Sequence, residues 1–205
     1  MPVSPAFVPS ILEFWFGSSD PGAQVPARMH LWFTPDEATD ALIRERYGPL
    51  HAAACRGEAE SLCRTPGGRL AYIILIDQFS RNLYRGSHRA YAQDRRALHA
   101  ALEGIDLGED QTFGLHQRAF VYLPLEHAED RHLQQRSVEL FTRLRDEAPP
   151  DLAKVAQVYL DHALAHQKVI DEFGRFPHRN SYLGRTTTIE EFAYLRKPGA
   201  GFGGG

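Results

Sequence analysis

The sequence predicts an all-α chain, and three observations carry that prediction. Apolar residues recur at three- and four-residue spacing through successive segments. Helix-opening signals such as Thr65-Pro66 and Thr188-Ile189-Glu190-Glu191 precede several of those segments, and no stretch of useful length alternates apolar and polar residues. Eight or nine helices in antiparallel pairs are the expected architecture. At 205 residues and 43% hydrophobic content the chain can bury a substantial core. One domain over 1–205 is the simplest organisation, with a loop at 18–26 and a flexible glycine-rich tail at 199–205 anchored only by Phe202.

Taken in order, Pro9 to Phe16 forms a short helix that must bury Ile11, Leu12, Phe14, Trp15 and Phe16, and Gly17 ends it. Thr34-Pro35-Asp36-Glu37 opens a helix running to about Arg56, with a kink or break at Gly48-Pro49. Thr65-Pro66 opens the central helix, because Leu70 to Ile76, LAYIILI, is apolar around nearly its whole circumference. A helix follows from His88 to Glu103, then a loop at Gly104 to Asp110 and a short helix near Phe113 to Val121. Pro124 opens a long helix ending before Pro149-Pro150, and its core-facing stripe turns acidic toward Glu126, Glu129 and Asp130, at the helix end that favours negative charge. The last long helix runs from Asp151 to about Phe173, with His162 and His166 on its apolar stripe.

After it comes FGRFPHRNSYLGR, residues 173–185, which gathers Arg175, His178, Arg179, Asn180 and Arg185. Phe173, Phe176, Tyr182 and Leu183 are expected to pin this turn to the core, and the cations then sit in fixed positions. Asp77, at the end of the most buried stretch, requires a partner, and Arg81 at i+4 or Arg85 one turn on can supply it. Arg81, Asn82, Arg85, Arg175, His178, Arg179, Asn180 and Arg185 are therefore the candidate ligand-binding residues. Asp77, Glu126, His127 and His178 are the candidates for acid–base work. With five arginines and His178 set against Asp77, Glu126, Glu129 and Asp130, at least one cation is left for a bound anion.

The blocks ILEFWFG, LIDQFSRNLYRG, YLPLEHAED, FGRFPHRN with the following LGR, and the closing Glu-Glu-Phe with Phe202 resemble the bacterial family DUF924, over about residues 11 to 202. The resemblance implies an all-α, tetratricopeptide-like superhelical fold. It brings no activity, cofactor or site residue. No 34-residue repeat is visible in the chain itself.

Three functions are compatible with the residues. The first is a pocket for a small anionic molecule, with or without catalysis. The second is a protein- or peptide-binding scaffold. The third is a metal-dependent helical-bundle enzyme using Glu126, Glu129, His132 and His166, although the chain has a single Glu-x-x-His pair where a di-iron site needs two. No cofactor is indicated. The formal charge of −3 and pI near 6.4 leave no electrostatic footprint for nucleic acid. No signal peptide or run of 18 apolar residues is present, so no membrane partner is expected and the expected location is cytoplasmic. Cys55 and Cys63 read as reduced thiols. Hydrolase-elbow, P-loop, dinucleotide and zincin motifs are absent.

Overall fold

A computed structural model of the chain describes residues 3–201. Among them there is no strand, and the fold is all-α. Helix α1 spans Val8–Phe16 and stops at Gly17, whose φ of 79° lies in the left-handed region that glycine enters without strain. A short α2, Met29–Phe33, has no counterpart among the sequence expectations. Helix α3, Glu37–Cys55, is capped by the carboxylate of Asp36, which accepts the Thr39 N–H at 2.9 Å; Thr34-Pro35 therefore lies outside the helix. Pro49 is carried inside α3, which continues through it.

The central helix, α4, covers 66–83 in three parts: α-helical Pro66–Ile73, a π turn at Ile74–Gln78, and α-helical Phe79–Leu83. Thr65 caps it through the Gly68 N–H, with Pro66 at the first helical position as the sequence predicts. A π turn places one extra residue in the helix, so the residues beyond it are rotated by about 100° relative to an uninterrupted α-helix. Residues 68–80 are buried, and beyond the π turn Arg81 and Asn82 are half-buried between buried Ser80 and Leu83.

Helix α5 is Asp94–Asp106, α6 Leu115–Glu126, α7 Arg131–Asp146, α8 Ala153–Phe173 and α9 Ile189–Leu195. Several boundaries differ from expectation: the helix expected from His88 begins at Asp94, after a separate 3-10 turn at His88–Tyr91. Helix α5 runs through Gly104, which is needed because a β-carbon there would come within 2.7 Å of Arg69 Cδ. Pro124 opens nothing; it sits inside α6, which ends two residues later at Glu126. The chain turns at 127–130, and Asp130 caps α7 by accepting the Leu133 N–H at 3.0 Å. The helix dipole thus favours Asp130 but not Glu126, which lies at a carboxyl end.

Residues 70 to 76 are at most 3% exposed, as the all-round apolar pattern requires. Around them pack Ile11, Trp15, Phe79, Phe120 and Phe141, with Trp15 edge-on to Phe79 and Phe120. Phe14 is half-buried against Tyr47 and Phe79 rather than enclosed. The 18–26 loop is tied down, its Pro21 and Ala23 carbonyls accepting from the Gly114 N–H and the Gln117 amide at 3.0 Å each. A second, smaller apolar cluster of Val169, Ile170 and Phe176 supports the segment after α8. Of its four expected anchors only Phe176 is buried; Leu183 is 40% exposed. Phe202 lies outside the described residues.

Candidate functional site

Where α4, α6 and α8 meet the segment after α8, they enclose a cavity of about 590 Å³. One wall is apolar, built by Met29, Leu31, Trp32 and Phe33 of α2 with Val158 of α8. The lining also carries Arg81, Arg85, Glu126, His127, His178 and Arg179, so a ligand-sized space is bounded by both apolar and charged groups.

The charged part of the lining is built on carboxylates. Asp77, fully buried in the π turn, lies 3.0 Å from Arg81 Nη1 and accepts from the Gln78 amide at 2.6 Å. Burial alone would raise its pKa, but Arg81 and His127 outweigh burial and hold the carboxyl well below its usual range. Arg81 also reaches Asp94 with both terminal nitrogens, at 3.2 and 3.3 Å. The same Asp94 accepts from Arg179 Nη1 at 3.2 Å. Asp40 takes Asn82 at 2.8 Å and Arg85 at 3.0 and 3.1 Å.

Two histidines face the cavity from carboxylate partners. His127 Nδ1 is 3.0 Å from Asp77 Oδ1, and because a carboxylate only accepts, Nδ1 carries the proton. Nε2 of His127 has no protein partner among the described residues. Burial first, then Arg81, keeps this ring below its usual pKa. His166 Nδ1 lies 3.0 Å from Glu126 Oε1 and 2.8 Å from the His162 carbonyl, so the i, i+4 histidine pair is joined through backbone. Glu126 Oε2 is buried without a hydrogen bond. Burial raises the Glu126 pKa, and the neighbouring His166 more than offsets that.

Arg179 is 6% exposed, with its guanidinium carbon 4.6 Å from the ring centres of both Tyr91 and Phe176. Its Nε is buried without a hydrogen bond. Burial lowers the pKa of this guanidinium despite Asp94. His178 beside it is pushed down to about 3 by burial and by Arg179, so it is neutral at pH 7.

The cavity therefore brings together Asp77, Arg81, Asn82, Arg85, Glu126, His127, His166, His178 and Arg179. Three expected ligand residues stand apart from its lining. Arg175 is clamped on Glu191 at 2.6 and 2.9 Å, Asn180 donates to the same Glu191 at 3.0 Å, and Arg185 grips Glu129 at 2.6 and 3.0 Å. The count that left at least one cation without an acid also fails, since Asp40, Asp94 and Glu191 supply the missing charges. The four candidate metal ligands do not converge: His132 is exposed and Glu129 is taken by Arg185. Among the described residues no group of three or more potential ligands is placed to hold a metal. Asp40 and Asp94 were missed because each sits in the first turn of a helix, beside arginines that look able to pair with it locally; no local pattern marks a pairing across 45 or 85 residues.

The described residues define an all-helical fold with an open pocket of ligand size, largely apolar and bearing charged groups in its lining, and no described helix is long and apolar enough to cross a membrane. The chain belongs to the family described as bacterial protein of unknown function, DUF924, which matches residues 11–199. Its structure is similar to that of a protein of unknown function, ATU0120, from Agrobacterium tumefaciens, with 37% identity, 93% of this chain and 97% of that chain covered, and a TM-score of 0.78. No curated protein matches the chain.

Proposed function

We propose that the cavity binds a small anionic molecule with an apolar body, of the carboxylate class, in a cytoplasmic protein whose two cysteines are free. One observation carries the proposal: the Arg179 guanidinium lines the cavity, and the ion pair it makes, through Nη1 to Asp94, leaves part of the fork for a ligand. A charge-assisted hydrogen bond from it to a ligand oxygen is worth roughly 1.5–3 kcal/mol. The aromatic wall of Trp32 and Phe33 supplies the apolar half of the fit. A single carboxylate suits the site better than a doubly charged phosphate, because Glu126 stands in the same lining and Asp94 already shares the charge of Arg179.

The test is a thermal-denaturation panel with benzoate, phenylacetate, inorganic phosphate and 4-nitrophenyl phosphate. A ligand at a hundred times its Kd stabilises by about 2.7 kcal/mol, a rise of several degrees. Arg179→Lys, which keeps the charge and loses the fork, is expected to weaken binding about tenfold or more. Unchanged melting with every probe at saturating concentration would remove the proposal. The scaffold alternative rests on the exposed Ile189 and Phe192 of α9, 85% and 60% accessible, and predicts peptide capture there instead.

A further inference from the structure

We infer that the cavity is a catalytic centre in which His127 accepts the proton and Asp77 positions it, for hydrolysis of an ester whose acid product is the carboxylate proposed above. The inference rests on that binding reading for its product, and on separate geometry for its chemistry. A base needs a free lone pair, a fixed tautomer and access to the reacting atom. His127 has all three: Asp77 holds Nδ1–H at 3.0 Å, Nε2 is left as the acceptor, and the ring lines the cavity. Asp77 is itself locked by Arg81 and Gln78, so it orients the imidazole without rearranging.

The attacking group in this inference is water; no Ser or Cys lines the cavity among the described residues, and Thr34 is the one aliphatic hydroxyl in its lining. His127 Nε2 takes a proton from water as the water oxygen bonds to the acyl carbon, and the carbonyl electron pair moves onto its oxygen. The Arg179 guanidinium, which lines the cavity, supplies the positive charge for that oxyanion. Collapse breaks the bond to the alcohol oxygen, which recovers the proton from Nε2, and the acid formed ionises. No oxidant, reductant or further reactant is required.

The groups facing His127 are Asp77 and Arg81 from α4, Asp94 from α5, Glu126 next to it, and His178 on the segment after α8. With burial and Arg81 keeping the ring neutral, turnover is expected to be level at pH 7 and to fall on the acid side, below the ordinary histidine value of 6.5.

The experiment measures 4-nitrophenyl acetate and 4-nitrophenyl benzoate hydrolysis from pH 5 to 8 by the wild type, His127→Gln, Asp77→Asn and, as a control outside the cavity, His132→Gln. His127→Gln is expected to lose about a hundredfold or more in kcat/KM. His132→Gln is expected to match the wild type. Asp77→Asn, where it folds, is expected to lower the plateau and move the acid limb to lower pH, a change that a merely structural role would not produce. Turnover by His127→Gln equal to that of the wild type, or no turnover by the wild type above buffer, overturns the inference. If benzoate still raises the melting temperature in that case, the binding reading stands alone; if His127-dependent turnover is present and no probe shifts melting, the binding reading is the one that fails.

Discussion

A buried ionisable group has two fates in this chain. Asp77 stays charged because three partners meet its oxygens, while His51, His116 and His178 stay neutral because burial disfavours their protonated forms. The stability consequences have one sign and two windows. His51 and His116 are lowered to about 4 and His178 to about 3 from 6.5, so the unfolded chain binds protons first as pH falls below 6.5. Asp77, also lowered from 3.8, adds a further loss as pH falls below that value. The melting temperature is expected to be flat from pH 8 to about 6.5, to drop steeply toward pH 4 as several kcal/mol are lost, and to drop again below 3.8. Melts at half-unit pH steps test this, and a flat line from pH 7 to 4.5 would contradict neutral burial of the histidines. The Asp77–Arg81 pairing is legible in the sequence because it is an i, i+4 relation on one helix. Its second partner, His127, lies fifty residues away and is legible only as a residue of suitable chemistry.

Among the elements, α4 shows how far periodicity reaches. LAYIILI, apolar on all sides, admits one placement, and the structure puts it there at near-zero exposure. Ile74→Asp is expected to cost about 3 kcal/mol or more, since Ile74 is fully buried in the π turn and a carboxylate there has no cation within its own apolar shell. Urea denaturation measures it, and a loss under about 1 kcal/mol would mean that the π turn opens to water more readily than its burial implies. The π turn itself is not legible, because it depends on how Asp77 and Phe79 are gripped by neighbours rather than on a local signal. The α6–α7 boundary departs from expectation for a related reason. Proline is common at a helix start, where its missing N–H costs nothing, but Pro124 sits two residues before the end of α6, where it forgoes the bond to the Phe120 carbonyl and no N–H bond beyond the next two residues depends on it.

At the scale of the molecule, the cavity exists because the segment after α8 is held against helices distant in sequence. Glu129, in the turn between α6 and α7, is the fastening point. It accepts the Phe176 N–H at 2.8 Å and two bonds from Arg185 at 2.6 and 3.0 Å. Arg185 then closes onto the Phe176 carbonyl and Asn180, each at 3.0 Å, and Asn180 passes the network to Glu191 and Arg175. The arginines of the expected ligand set are thus split: Arg81, Arg85 and Arg179 shape the cavity, while Arg175 and Arg185 fold its wall. Removing Glu129 leaves Arg185 and the Phe176 N–H without their acceptor while α4 and its apolar shell keep every contact. Glu129→Ala is therefore expected to lower the opening free energy of 174–191 by about 1–3 kcal/mol and to raise amide hydrogen exchange selectively there, with most of the protection in 70–83 retained. Binding of a carboxylate probe by this variant should weaken as well, because Arg179 and His178 ride on the released wall. Exchange that rises evenly along the chain, or not at all in 174–191, would show that the wall is held by Phe176 packing and the Arg179–Asp94 pair instead.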